Sequence, residues 1–251
     1  LIKASNIFKI PISENRIKNW LEFSKPDGGW STYYNNGIKI SMRFPLDADF
    51  KGWFSPQLCV STVAAWVAKD FKDSEIEAIF EKTIEYILSN QNNDGSWNSY
   101  WWTENIYPTA FAILSIPKQE KNTNIIKKAV SYILMKQNEN GSWNNGKIES
   151  CFYTALALKS LIDFNAYYKD DQIQPFINVG IDWLLKNQMS DGSWEVSRIL
   201  QIPFPDILIP KEINEWRNTS FGLNCLVDDH NRIFTTATVF NCLSLYGKYY
   251  R

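Results

Sequence analysis

One phrase recurs along this chain and limits what it can fold into. It reads Gln91-Asn-Asn-Asp-Gly-Ser-Trp97, then Gln137-Asn-Glu-Asn-Gly-Ser-Trp143, then Gln188-Met-Ser-Asp-Gly-Ser-Trp194. A looser copy, Ser24-Lys-Pro-Asp-Gly-Gly-Trp30, lies upstream. Gln91 and Gln137 are 46 positions apart, and Gln137 and Gln188 are 51 apart. A fixed period of this size belongs to arrays of stacked supersecondary units, each too small to bury its apolar face alone.

The residues before each phrase have helical spacing. Ile79, Thr83, Tyr86 and Ile87 share one face, as do Ile126, Val130, Ile133 and Leu134, and Ile177, Ile181, Leu184 and Leu185. Gly95, Gly141 and Gly192 stand where a helix end needs positive φ. The following Trp is expected to fold back on the helix end. A second signature comes next, a small-residue helix with Thr109-Ala, Thr154-Ala or Thr236-Ala, and a looser Ser61-Thr62-Val-Ala-Ala copy. These segments are apolar on nearly every side and are therefore expected inside, with the amphipathic helices outside.

The pattern predicts a single all-α domain over 1–251, with repeats near 12–69, 75–116, 123–163 and 173–247. Two insertions, 31–55 and 195–231, interrupt it. A short extra element is expected within 206–217. Hydrophobic residues make up 45% of the 251, enough for a large core, and the 11 Trp either fill that core or line a cavity. The net charge of −1 gives no electrostatic footprint for nucleic acid. No apolar run approaches the ~20 residues of a spanning helix. Cys59, Cys151, Cys225 and Cys242 form no Cys-x-x-Cys pair and read as reduced thiols of a cytoplasmic protein.

The Gln-to-Trp turns, each followed by a Thr-Ala helix, resemble the QW repeats of the terpene cyclase and prenyltransferase superfamily, which includes squalene–hopene cyclase. The resemblance spans roughly residues 12–247. It implies an α/α toroid, here of about four helix pairs, with inner helices around an apolar cavity that takes isoprenoid chains. Each turn leads into the N-terminus of an inner helix, where free N–H groups and the helix dipole favour anions. Both insertions open at this same rim. Long loops on a repeat scaffold are commonly functional ones.

Class II cyclases of that superfamily protonate an alkene with an Asp-x-Asp-Asp motif just before Thr-Ala. Such an acid must hold its proton in an apolar site. Four, two and one residues before each Thr, this chain has Leu58, Val60 and Ser61; Asn105, Tyr107 and Pro108; Ser150, Phe152 and Tyr153; and Arg232, Phe234 and Thr235. None is acidic. The remaining rim acids are Asp47, Asp49, Glu104, Glu149, Asp228 and Asp229. Asp229, beside His230 and Arg232, is the first choice for a non-standard acid, with Asp228, Glu104, Asp47 and Asp49 as alternates. First-turn acids also offset helix dipoles and cap helices, which is the plainer reading of each. Trp101 and Trp102 present π faces suited to a carbocation, and Tyr107, Phe152, Tyr153, Phe234, His230 and Arg232 join them as candidate substrate contacts. The same rings would equally seal repeat joints.

No metal site is expected: His230, Asp228 and Asp229 adjoin on one loop and Cys225 lies five residues earlier, a poor tetrahedral set. Magnesium enters only as the companion of a diphosphate substrate. Three functional readings stand. The first is an isoprenoid-processing cyclase-like enzyme with a non-standard acid. The second is a non-catalytic toroid that binds an apolar chain or completes a protein partner or a homo-oligomer. The third is a carbohydrate-active α/α enzyme, which would need paired carboxylates beside Trp.

Overall fold

The computed structural model describes residues 12–219 and 222–250. Ten α-helices run through them: α1 Glu14–Leu21, α2 Gly37–Ser41, α3 Lys51–Phe54, α4 Leu58–Ala68, α5 Ser74–Ser89, α6 Ile106–Ser115, α7 Thr123–Met135, α8 Cys151–Tyr168, α9 Gln174–Lys186 and α10 Ile233–Tyr250. Local chemistry starts several of them. Asp73 caps α5, accepting from the Glu75 and Ile76 amides at 3.0 and 3.1 Å. The Ser150 hydroxyl accepts the Tyr153 amide at the start of α8. Pro175, in the first turn of α9, begins a helix without wasting a donor.

The Thr-Ala segments form α4, α6, α8 and α10, which lie side by side in that order. α5 packs on α4, α7 on α6 and α9 on α8. The core lies between the two layers, and α6 and α8 are buried along most of their length. The amphipathic helices bury the faces expected of them, through Thr83 and Ile87, Ile126, Val130 and Ile133, and Ile177, Ile181 and Leu184. Leu185 departs from this pattern and is exposed, because it lies on the flank of α9 away from α8.

The chain is predominantly helical but not wholly so. β1 (Asn144–Asn145) and β2 (Ile148–Glu149) form a small hairpin. The second insertion contains a three-stranded sheet, in which β5 (Cys225–Asp228) lies between β3 (Arg198–Ile202), antiparallel, and β4 (Arg217–Asn218), parallel. Ile199 and Ile202 are β-branched residues suited to a pleated ladder, a signal that helix periodicity hides. The 3₁₀ turn Pro210–Glu212 lies within the segment where a short element was expected.

A common set of hydrogen bonds builds the joints between repeats. The indoles of Trp97, Trp143 and Trp194 donate to the carbonyls of Ile87, Ile133 and Leu184, ten residues upstream, at 2.7, 2.8 and 2.7 Å. Their backbone amides donate to the hydroxyls of Thr109, Thr154 and Thr236. The Thr of Thr-Ala is therefore the receptor for the Trp backbone. In the first repeat Ser61, not Thr62, accepts the Trp30 amide, at 2.9 Å. The true repeat register there is one residue earlier than the Thr62 alignment predicts, since either hydroxyl can serve as acceptor. Gln91 and Gln137 each bridge two carbonyls, Gly95 and Ile125 for one, Gly141 and Phe176 for the other. The second carbonyl of each pair belongs to the next outer helix.

Candidate functional site

The N-terminal ends of the inner helices surround two apolar hollows. The first, about 460 Å³, is lined by Trp20 and Trp30 of the first repeat, Cys59, Val60 and Val63 of α4, and Trp101. The second, about 310 Å³, is lined by Trp66 of α4, Phe111 of α6, Phe152, Leu156 and Lys159 of α8, and Phe234 of α10. Trp102 and Tyr107 line both. The Trp102 ring lies 3.8 Å from Tyr107 and 5.3 Å from Phe152, each at 9°. This stack forms a thin wall between the hollows. Helical spacing presents the lining: Phe152, Leu156 and Lys159 recur on one face of α8, as Tyr107 and Phe111 do on α6.

The joint register identifies the positions that matter. Two residues before each Trp-binding hydroxyl stand Cys59, Tyr107, Phe152 and Phe234. All four line a hollow. Each repeat thus points the same position inward, and none of the four is a carboxylate. Burial pushes the Cys59 thiol and the Tyr107 phenol up from their ordinary values, so both stay neutral.

The insertions border the first hollow through Ser31, Thr32 and Leu200, and they grip each other. The amides of Gly52 and Trp53 donate to the Pro205 carbonyl at 2.9 and 3.1 Å, and the Trp53 indole donates to that of Pro203 at 3.2 Å. A Cβ on Gly52 would meet the Ile207 carbonyl oxygen at 1.8 Å, so only glycine fits there. Leu200 of β3 bridges Trp102 and also lines the first hollow. Trp101 packs between Trp53 and Tyr100, and its buried indole nitrogen has no hydrogen-bond partner among the described residues.

The candidate acids lie elsewhere. Both oxygens of Asp229, a buried side chain, accept backbone amides of α10, from Phe234 at 3.0 Å and Thr235 at 2.7 Å. That geometry is a helix cap. Asp228 is exposed and paired with Arg198 at 2.9 Å. Arg232 donates to the Ser193 hydroxyl and faces Asp191 at 3.4 Å, bracing the last turn. His230 is exposed and bonds to Asn231. Asp47 and Asp49 are exposed, and Asp49 accepts the Lys51 amide at the start of α3, which lowers its pKa. Glu104 accepts the Gly146 amide at 2.7 Å and so ties the α6 rim to the β1–β2 hairpin. Burial raises the pKa of Glu104, and the Gly146 bond offsets part of that rise. Tyr153 is buried, and its hydroxyl contacts Thr103, Glu104 and Ile199 rather than either hollow.

Among the described residues, no cluster of three His, Cys, Asp or Glu side chains forms, and no helix is long and apolar enough to cross a membrane. A third cavity, about 480 Å³, lies at the opposite ends of the inner helices, lined by Lys69, Lys118, Asp163 and Tyr167 among others. There Lys69 donates to the Leu114 carbonyl and Lys118 pairs with Asp163, as expected of basic residues serving helix C-termini. Sequence reasoning missed Cys59, Trp20, Trp66 and Lys159 as lining residues. Lys159 lies seven positions after Phe152 on the same helical face, but α8 is apolar nearly all round and its sequence does not mark that face as the open one.

The solved type II terpene cyclase MstE from Scytonema is similar to this chain. A variant in complex with merosterolic acid A, its product, is 28% identical with a TM-score of 0.80, covering 92% of this chain and 65% of that one. Another, in complex with the substrate geranylgeranyl dihydroxybenzoate, is 27% identical with a TM-score of 0.80, covering 92% and 66%. This chain thus spans about 65% of the length of that cyclase. A protein from Actinoplanes shares the fold at 23% identity and a TM-score of 0.84, covering 98% of this chain and 73% of that one. Among curated proteins nothing matches. Residues 4–211 match the squalene-hopene cyclase C-terminal domain model, and with the repeat joints and inner aromatic positions just described, this terpene-cyclase-like chain belongs to that family.

Proposed function

We propose that this chain is an isoprenoid-processing, cyclase-like protein whose four helix pairs form an arc of an α/α toroid and whose twin hollows receive a prenyl chain. The observation that carries this reading is the inward position of each repeat, Cys59, Tyr107, Phe152 and Phe234, which lines the two adjoining apolar hollows. Stacked rings exclude water and offer π faces to a developing cation. Magnesium has a role here only if the substrate carries a diphosphate.

One specific observation favours a second reading, binding without turnover. No carboxylate lines either apolar hollow among the described residues. In that reading the chain holds the isoprenoid, and the proton comes from a group outside these two linings or from a partner protein. The third reading is weaker: Asp47 and Asp49 face solvent, apart from the aromatic lining.

The test is incubation with geranylgeranyl dihydroxybenzoate, the MstE substrate, and with farnesyl and geranylgeranyl diphosphates, with and without magnesium. Saturable quenching of tryptophan fluorescence and an isomeric product of unchanged mass are expected. Binding without product selects the second reading, and absence of binding removes both. Asp229→Asn separates capping from chemistry. If Asp229 is a cap, replacing one of its two amide-accepting oxygens with an NH2 should cost about 1–2 kcal/mol of stability, whereas an acid variant loses turnover with its melting unchanged.

A further inference from the structure

Lys159 stands out in the second hollow. Its ammonium lies 4.7 Å from the centre of the Trp66 ring and 5.7 Å from that of Phe111. It shares one face of α8 with Phe152 and Leu156, so its placement among the rings follows from helix geometry. Opposite, α10 contributes Phe234, Ala237, Thr238 and Asn241, again on one face. Along both helices the lining changes in the same sense, from aromatic near the N-terminus to polar farther on. The second hollow therefore has an apolar end at the Trp102–Tyr107–Phe152 stack and a polar end with a cation, a hydroxyl and a carboxamide.

We propose that this polar end is an anion subsite, in which Lys159, with Thr238 and Asn241, holds the carboxylate or phosphate head of an amphiphile whose apolar chain lies along the aromatic wall. The proposal rests on the isoprenoid reading for the chain and adds the head group. A half-buried ammonium among aromatic rings attracts an anion more strongly than it would in water, because low dielectric strengthens the pair. It also repels positive charge. The ligand therefore lies with its head at Lys159 and its chain toward the Trp102–Tyr107–Phe152 stack.

The experiment titrates intrinsic tryptophan fluorescence, since Trp66 and Trp102 both line the second hollow. Farnesoate, farnesyl diphosphate and farnesol are compared on the wild type, Lys159→Met and Lys159→Arg. A second pair, dodecanoate and dodecanol, repeats the comparison without an isoprenoid. Farnesoate is expected to bind about tenfold tighter than farnesol, the scale of one well-placed charge pair. Lys159→Met should abolish that preference with farnesol binding retained, and Lys159→Arg should restore it. A diphosphate advantage over farnesoate identifies the phosphorylated head as the better fit, and equality identifies the carboxylate as sufficient. Equal binding of farnesol and farnesoate, a preference that survives Lys159→Met, or no binding by any probe overturns the proposal. If the isoprenoid reading alone is wrong, the farnesyl probes fail while dodecanoate keeps its Lys159-dependent preference over dodecanol.

Discussion

The four Gly turns share a sequence and differ in their surroundings. A Cβ on Gly28 or Gly95 would meet the carbonyl oxygen of Lys82 or Lys128 at 2.3 Å, and one on Gly141 would meet Val179 at 2.6 Å. Each of these carbonyl groups belongs to the outer helix of the next repeat. A Cβ on Gly192 would find only the Gln188 amide, at 4.0 Å. Gln188 likewise bonds to Gly192 and, among the described residues, to no carbonyl of a further helix, whereas Gln91 and Gln137 have two each. Beside this last turn α10 exposes Ile233, Phe234 and Phe240. The phrase therefore does two separable things. It closes its own turn everywhere, and it grips the following helix in three of four places.

Substitutions can break that contrast, beginning with the plug. Trp97→Ala and Trp143→Ala remove fully buried rings and should lower unfolding free energy by about 3–5 kcal/mol in urea melts. Trp194→Ala should fall at the lower end of that range, because α10 is partly exposed beside it. Equal losses at all three would mean that the plug serves its own helix end alone. Glycine sharpens the comparison further. Gly95→Ala adds a backbone collision to an unfavourable φ of 92° and should cost about 3 kcal/mol. Gly192→Ala meets the φ penalty alone, about 1 kcal/mol.

The bridging amides should show the same ordering at smaller scale. Gln137→Ala loses a bond to each of two elements, about 1–2 kcal/mol, while Gln188→Ala should stay within about 0.5 kcal/mol. The smallest effect concerns the rim tie from Glu104 to the hairpin of the third repeat. Burial lifts this carboxyl above its ordinary 4.5, so the folded chain keeps the proton to higher pH than the unfolded one. Its contribution to stability is full below pH 4.5 and declines as pH rises from there through the folded value. Glu104→Gln should flatten that part of a stability–pH profile, and an unchanged slope would assign it to other groups.

The repeats were legible because each joint residue has a physical duty that leaves a letter in the sequence. Positive φ selects glycine, a carbonyl bridge selects glutamine, and a large plug with one donor selects tryptophan. The inner helices were legible through their all-round apolarity. The site was only partly so. Periodicity shows that α8 is buried but not which of its faces meets open space, and hence Lys159 was missed. Asp229 stands in sequence where an acid or a cap would stand, and only the two amides at its oxygens tell them apart. The second insertion hid its strands because they are short and β5 pairs with β3 some 23–30 residues away, so that no local period records the ladder. In the first repeat a hydroxyl stands at both 61 and 62, so sequence alone could not fix the register.

The grip between Trp53 and Pro203 joins residues 150 positions apart. Closing so long a span is entropically costly until the intervening repeats have drawn its ends together. The paired insertions should therefore be assembled last, against helices that already exist, and be the first part of the molecule to come loose when it is stressed.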